Sequence, residues 1–193
     1  MIQLGRVVRL QVQTDSLKRG QRPNRIYDPA PLTEVALLRL SPSGARGVTA
    51  SGEKILDVHH PGHPRTKSAP GREVSFGFTS HYERMRDRHG ERVTTGCAGE
   101  NILVETGRVW RLEDFAGGLA FRSAATGEIL RLTEVAVAAP CVEFSRFTLG
   151  DPQASPQALK PVLQFLDQGT RGYVFTPGGK GEVAIGDALV LRE

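Results

Sequence analysis

Glycine and proline dominate the punctuation of this chain: 22 Gly and 12 Pro in 193 residues. Each of these residues ends or bends a regular element, so the segments between them stay short. That spacing favours many short strands over a few long helices. Several segments carry the matching signal. Gly5 to Val12 alternates apolar and polar residues after Val8, the period of a half-buried strand. Glu34 to Leu40 reads as a second strand, Ser41-Pro42-Ser43-Gly44 as a turn, and the surroundings of Val48 and Lys54 to Val58 as two more strands. Asn101 to Val104, Trp110 to Leu112, Leu119 to Arg122 and Glu128 to Ala138 are also strand-like. The closing stretch, Tyr173 to Thr176, Pro177-Gly178-Gly179, Val183 to Ile185 and Ala188 to Leu191, has the pattern of a hairpin followed by a last strand.

Helical signals are few. Ser80-His81-Tyr82-Glu83 reads as a capping box, with a helix running from Ser80 to His89 and Gly90 as its stop. Ser155-Pro156 reads as an N-cap with proline at the first helical position, and the helix runs to about Gln168. Pro161 is expected to kink or split it. Asp15 to Pro31 reads as a long loop, and His59 to Pro64 is excluded from helix and central strand by its prolines. The expected fold class is mainly β, an antiparallel or mixed closed β-barrel carrying two or three short helices. Residues 1–193 read as one domain, with no repeat or dividing linker.

Composition narrows the function classes. Apolar residues make up 39% and charged residues 24%, which excludes a disordered or fibrous chain. No apolar run approaches the roughly 20 residues of a membrane span, and the N-terminus lacks the pattern of a signal peptide; the reading is a cytoplasmic protein without membrane partners. The net charge is +4 and the pI about 9.4, with Arg far outnumbering Lys. That bias suits an anionic ligand, and equally a plain charged surface. A nucleic-acid partner is not expected, because aromatic residues are only 6% and base stacking needs them interleaved with cations.

Four places can carry chemistry. Cys141 follows Pro140 at the end of a strand, where a thiol can act as nucleophile, sulfur carrier or soft metal ligand; a packed small hydrophobe is the plainer reading. Gly99-Glu100-Asn101 is a polar turn entering an apolar strand, able to orient a ligand or to tie a loop. His59, His60 and His63 cluster, but Pro61 excludes the helix that would align two of them, and no recognised zinc spacing completes the set. A loop contacting an anion, with Arg65 and Lys67 behind it, is as plausible. Arg171 lies between Gly169 and Gly172 in a helix-to-strand turn and can reach an anion. With two cysteines only, Cys97 and Cys141 are expected to be free thiols.

In order along the chain, these stretches resemble the MOSC domain, the module named for the C-terminal part of molybdenum cofactor sulfurase. Asp57 to Pro64 resembles the family's His-Gly-Gly loop. Gly99-Glu100-Asn101-Ile102-Leu103-Val104 is similar to its Gly-Glu-Asn-Leu signature, and Pro140-Cys141 to its Pro-Cys. Arg171-Gly172-Tyr173 and Gly181 to Asp187 are similar to its closing patterns. The resemblance implies a closed barrel like the one inserted in pyruvate kinase and a pocket for the molybdenum cofactor (molybdopterin). It implies Cys141 as the catalytic residue and thiolate ligand of the metal, with His60, Glu100, Asn101, Arg171 and Gly172 at the cofactor. The implied activity is reduction of N-hydroxylated small molecules with electrons from a separate donor protein. The alternative is a non-redox sulfur carrier, charged by a sulfur donor protein, that holds a persulfide on Cys141. Two departures stand out. One glycine of the His-Gly-Gly loop is replaced in His60-Pro61-Gly62-His63, and the Arg common before the Pro-Cys in bacterial reductase-like members is absent from Ala136-Val137-Ala138-Ala139.

Overall fold

The computed structural model describes residues 1–192. Its strands are β1 (Ile2–Gln13), β2 (Lys18–Arg19), β3 (Ile26–Tyr27), β4 (Leu32–Glu34), β5 (Leu37–Ser41), β6 (Gly44–Val48) and β7 (Lys54–Leu56). The remaining strands are β8 (Val74–Phe78), β9 (Ile102–Glu105), β10 (Leu119–Arg122), β11 (Ile129–Val137), β12 (Tyr173–Pro177), β13 (Gly181–Ala184) and β14 (Ala188–Leu191). Its helices are α1 (Thr79–His89), α2 (Val142–Leu149) and α3 (Pro156–Leu166), with a 3-10 turn at Leu112–Phe115.

Seven strands close a barrel in the order β14-β10-β11-β12-β8-β9-β1, sealed by pairing of β1 with β14. Neighbours are antiparallel except β8 and β9, which run parallel with α1 as part of their crossover. The length of β1 makes closure possible. Its first residues pair with β14, its middle with β9, and Gln11 to Gln13 with β4. A second sheet, β13-β5-β6-β7, packs against the barrel, and β2 pairs with β3.

Inside the barrel, Leu10, Phe76, Phe78, Ile102, Val104, Phe121, Tyr173 and Phe175 form one core. Burial of each large apolar side chain contributes about 1.5–3 kcal/mol. A second core joins Tyr27, Tyr82, Met85, Leu103, Phe144, Val162 and Leu166 under the helices. Strand β9 feeds both. Ile102 and Val104 point inward while Leu103 points to the helices, as a two-residue period requires.

Several expectations are corrected. The capping box at Ser80 does not form: β8 runs directly into α1, Phe78 is the N-cap residue, and the Ser80 hydroxyl donates instead to Arg108 O (2.8 Å). Trp110 to Leu112 is not a strand, because the chain turns into the 3-10 segment, where the Asp114 carboxylate accepts from Arg111 N (2.8 Å). Helix α3 continues through Pro161, capped by Ser155 as expected (3.3 Å to Ala158 N), and its buried Leu159, Val162 and Leu166 hold it together. The loop 15–31 carries the small β2–β3 ladder. Glu34 to Leu40 is broken at Val35-Ala36, where Val35 N turns back to Leu10 O. Finally, β12 and β13 form no hairpin: β12 pairs with β11 and β8, whereas β13 crosses to β5.

Candidate functional site

A cavity of about 500 Å³ opens where the β11–α2 connection, the start of β12, the Ala98–Glu100 turn and the loops 16–27 and 59–72 converge. Cys141 lies in its wall. Pro140 ends the strand segment and Cys141 becomes the N-cap of α2 in extended geometry, its carbonyl accepting from Ser145 N (3.0 Å) and Ser145 Oγ (3.0 Å). This half-buried thiol is free, as is the buried Cys97. Burial pushes the Cys97 thiol up to about 12, with a further push from Glu100, so Cys97 stays a protonated packing group.

The wall is cationic. Lys18, Arg25, Lys67, Arg72 and Arg171 line it, against Glu100 as the one lining acid. Glu143, at the first turn of α2, engages two of these cations. Arg25 Nε donates to Glu143 Oε1 (2.6 Å), and Lys18 Nζ lies 3.5 Å from Oε2. Burial would raise the Glu143 carboxyl, but its backbone amide, Arg25 and Lys18 outweigh that and hold it down to about 2. Among the described residues Lys67 Nζ donates only to the Ser16 hydroxyl (2.7 Å). Arg171 donates to Ala139 O (2.8 Å), and its guanidinium lies 5.3 Å from the Phe144 ring centroid. Arg72 has no side-chain hydrogen bond or ion pair among the described residues. Three cations therefore face the space without a carboxylate partner, a ready site for an anionic group.

The remaining expected residues divide. Glu100 is buried in the wall, its Oε2 accepting from the Tyr82 hydroxyl (2.8 Å). Asn101 is buried behind the wall and braces it. Its Oδ1 accepts from Ser75 N (3.0 Å), and its Nδ2 donates to Asp57 Oδ2 (2.8 Å) and Gln11 O (3.2 Å). Gly172 acts through its backbone. At φ +116°, an added Cβ would sit 2.7 Å from Phe76 O, so only glycine lets β12 approach β8 this closely and bring Arg171 beside Ala139. His60 is placed elsewhere. It lines a second, more open cavity with Arg46 and Lys180, where burial and Arg46 lower its pKa.

His59, the neighbour of His60, faces the first cavity. Its Nδ1 lies 2.8 Å from Asp57 Oδ1, which also accepts from His59 N (2.9 Å). Asp57 is fully buried, and Oδ2 accepts from Gln13 N (2.8 Å) as well as from Asn101. Burial works against the Asp57 carboxylate, yet the hydrogen bonds and charge of His59 and the Gln13 amide hold it below the usual aspartate range. The Asp57–Asn101 contact thus ties the His-Pro-Gly loop to the Gly-Glu-Asn turn. Sequence reasoning missed Lys18, Arg25 and Arg72 as lining residues. Their shared signal was only an arginine-rich composition, spread over loops that converge in space.

Among the described residues no group of three His, Cys, Asp or Glu side chains is placed to hold a metal ion. No helix among them is long and apolar enough to cross a membrane. No protein-family model matches the chain, and no curated relative matches it by sequence. Solved structures do match in shape. The YuaD protein from Bacillus subtilis superposes with a TM-score of 0.58 at 13% identity, over 96% of this chain and 93% of that one. YiiM from Geobacillus stearothermophilus gives 0.55 at 17%, over 97% and 75%. YiiM from Escherichia coli gives 0.52 at 16%, over 83% and 65%. These likenesses show the fold alone, and at that level the barrel agrees with the MOSC domain suggested by the motifs.

Proposed function

We propose that this protein is a MOSC-domain reductase whose cavity holds the molybdenum–pterin cofactor, with the Cys141 sulfur as the protein's ligand to the metal. The observation that carries the reading is the position of Cys141. The chain has two cysteines; one is sealed in a core, and the other lies in the wall of a cationic cavity. The donor set fits the group. A lone accessible thiol, with no three-ligand cluster around it, suits a soft metal that arrives already held by an organic ligand. Arg72, Lys67 and Arg171 suit the phosphate of the pterin. When bound, the cofactor supplies two-electron redox chemistry and a place to accept an oxygen atom.

The chain's own residues do the rest. Arg171 bridges to Ala139 and so puts a guanidinium beside the segment that lacks the Arg common before the Pro-Cys of reductase-like members. Asp57 orients His59 toward the cavity, and Asn101 holds Asp57. Among the described residues no group of three His, Cys, Asp or Glu side chains is placed to hold a metal centre, and electrons on this reading come from a separate donor. The substrate class is N-hydroxylated small molecules, and a chemical reductant replaces the donor in the test. Protein produced in a cofactor-competent host should reduce an N-hydroxylated base with reduced viologen, and Cys141→Ala should show no turnover above background. Turnover that survives Cys141→Ala contradicts the assignment. A mass gain of one sulfur on Cys141, removable by a thiol reductant, in protein without turnover would support the sulfur-carrier reading instead.

A further inference from the structure

Glu100 has features that holding a cofactor does not explain. It is 4% exposed, yet it is the one acid among the residues lining the cavity. Oε2 accepts from the Tyr82 hydroxyl (2.8 Å), and that hydroxyl accepts from Ala98 N (2.9 Å), so Tyr82 has its proton committed to the carboxyl. Oε1 is buried without a hydrogen-bond partner among the described residues. Among the described residues no Lys or Arg makes an ion pair with it. The titratable and charged groups facing it are Tyr82 from α1, Tyr27 from β3, Cys97, Arg9 from β1 and Arg171 at the entry to β12. A buried ionised carboxylate with one oxygen unpaired is costly, whereas a protonated carboxyl there has a hydroxyl to offer.

We propose that Glu100 is the proton donor for the reduction, handing a proton from Oε1 to the oxygen that leaves the substrate nitrogen. This inference rests on the function proposed above. The balance is R₂N–OH plus two electrons and two protons giving R₂NH and water. The N–O bond breaks, the nitrogen keeps an electron pair, and the electrons come from the external donor. Glu100 gives one proton to the departing oxygen, water gives the other, and the carboxylate is then reprotonated from solvent. Burial, the largest influence, raises the Glu100 carboxyl to about 7, against lowering by its own backbone amide, Tyr82, Arg9 and Arg171. The acid is therefore charged with a proton in the range where it must work.

The test compares wild type, Glu100→Gln and Tyr82→Phe, with three readouts: molybdenum and pterin content, turnover with reduced viologen across neutral pH, and infrared titration of the protonated-carboxyl band. Wild type should lose turnover as pH rises through about 7, and its carboxyl band should titrate there. Glu100→Gln should keep the cofactor, lack the band, and lose turnover by roughly 10²–10⁴-fold with no alkaline limb. Tyr82 lowers the Glu100 pKa, so Tyr82→Phe should move the limb to higher pH; this arm decides the matter if Glu100→Gln does not fold. A Glu100→Gln protein with full cofactor and full rate overturns the inference alone. So does a limb unmoved in Tyr82→Phe, or a Glu100 ionised well below neutral pH. Wild type without molybdenum overturns the functional reading and the inference together.

Discussion

Asp57 shows how one buried residue sets the geometry of the site. Its two oxygens accept from Gln13 N, Asn101 Nδ2, His59 N and, in the appropriate tautomer, His59 Nδ1, joining β1, the Gly-Glu-Asn turn and the histidine loop. Asp57→Asn turns one acceptor oxygen into a donor, which leaves a buried donor unpaired at a cost of about 2 kcal/mol in chemical denaturation at neutral pH. The pH sign follows from the lowered folded-state pKa. Asp57 contributes stability above the ordinary value of 3.8, and loses it as pH falls through the lower folded value. Wild type should therefore lose its advantage over Asp57→Asn in acid below that range, and a constant gap between the two would contradict this. At this scale the motifs led to residues that the structure places in the cavity wall, Glu100, Cys141 and Arg171, and to Asn101 buried behind it. It could not separate His59 from His60. Adjacent residues at a turn point to different spaces, and no local period marks which one faces the cavity.

Among the elements, the start of α2 matters most for the cavity. It places Cys141 as N-cap, and through Glu143 it pins Arg25 and Lys18, which line the cavity wall. Tyr27 completes the junction by packing on Phe144 and donating to Cys97 O (2.8 Å). Glu143→Gln should release the segment 18–25, so limited trypsin digestion should cut after Lys18, Arg19 or Arg25 several times faster than in wild type, with cleavage within the barrel unchanged. The wild-type pin should persist to strongly acid pH: its contribution is present above the ordinary glutamate value of 4.5 and fades as pH falls through about 2. Equal cleavage of both proteins would show that Glu143 does not hold the wall. Helix α2 was not legible beforehand. It is eight residues long, begins at a cysteine without a capping hydrogen bond from its side chain, and lacks the polar N-cap that marked α3. Strand β8 was also missed: Val74-Ser75-Phe76-Gly77-Phe78 alternates, but over five residues only, and it runs unbroken into α1.

For the molecule as a whole, short strands between glycines and prolines specified a barrel, and closure by β1 against β14 meets that expectation. The order of strands was beyond sequence reading. The crossing of β13 to β5, rather than back onto β12, depends on contacts far apart in the chain. The modest net charge of +4 likewise conceals its distribution, since five cations from three separate stretches meet at one cavity with a single lining acid. That concentration, around the accessible thiol, is the central claim. It is tested most directly by metal analysis and pterin fluorescence of purified protein from a cofactor-competent host, wild type beside Cys141→Ala. Molybdenum and pterin retained together by wild type, with both sharply reduced in Cys141→Ala, is the predicted result; wild type free of both, or equal content in the two proteins, would contradict it.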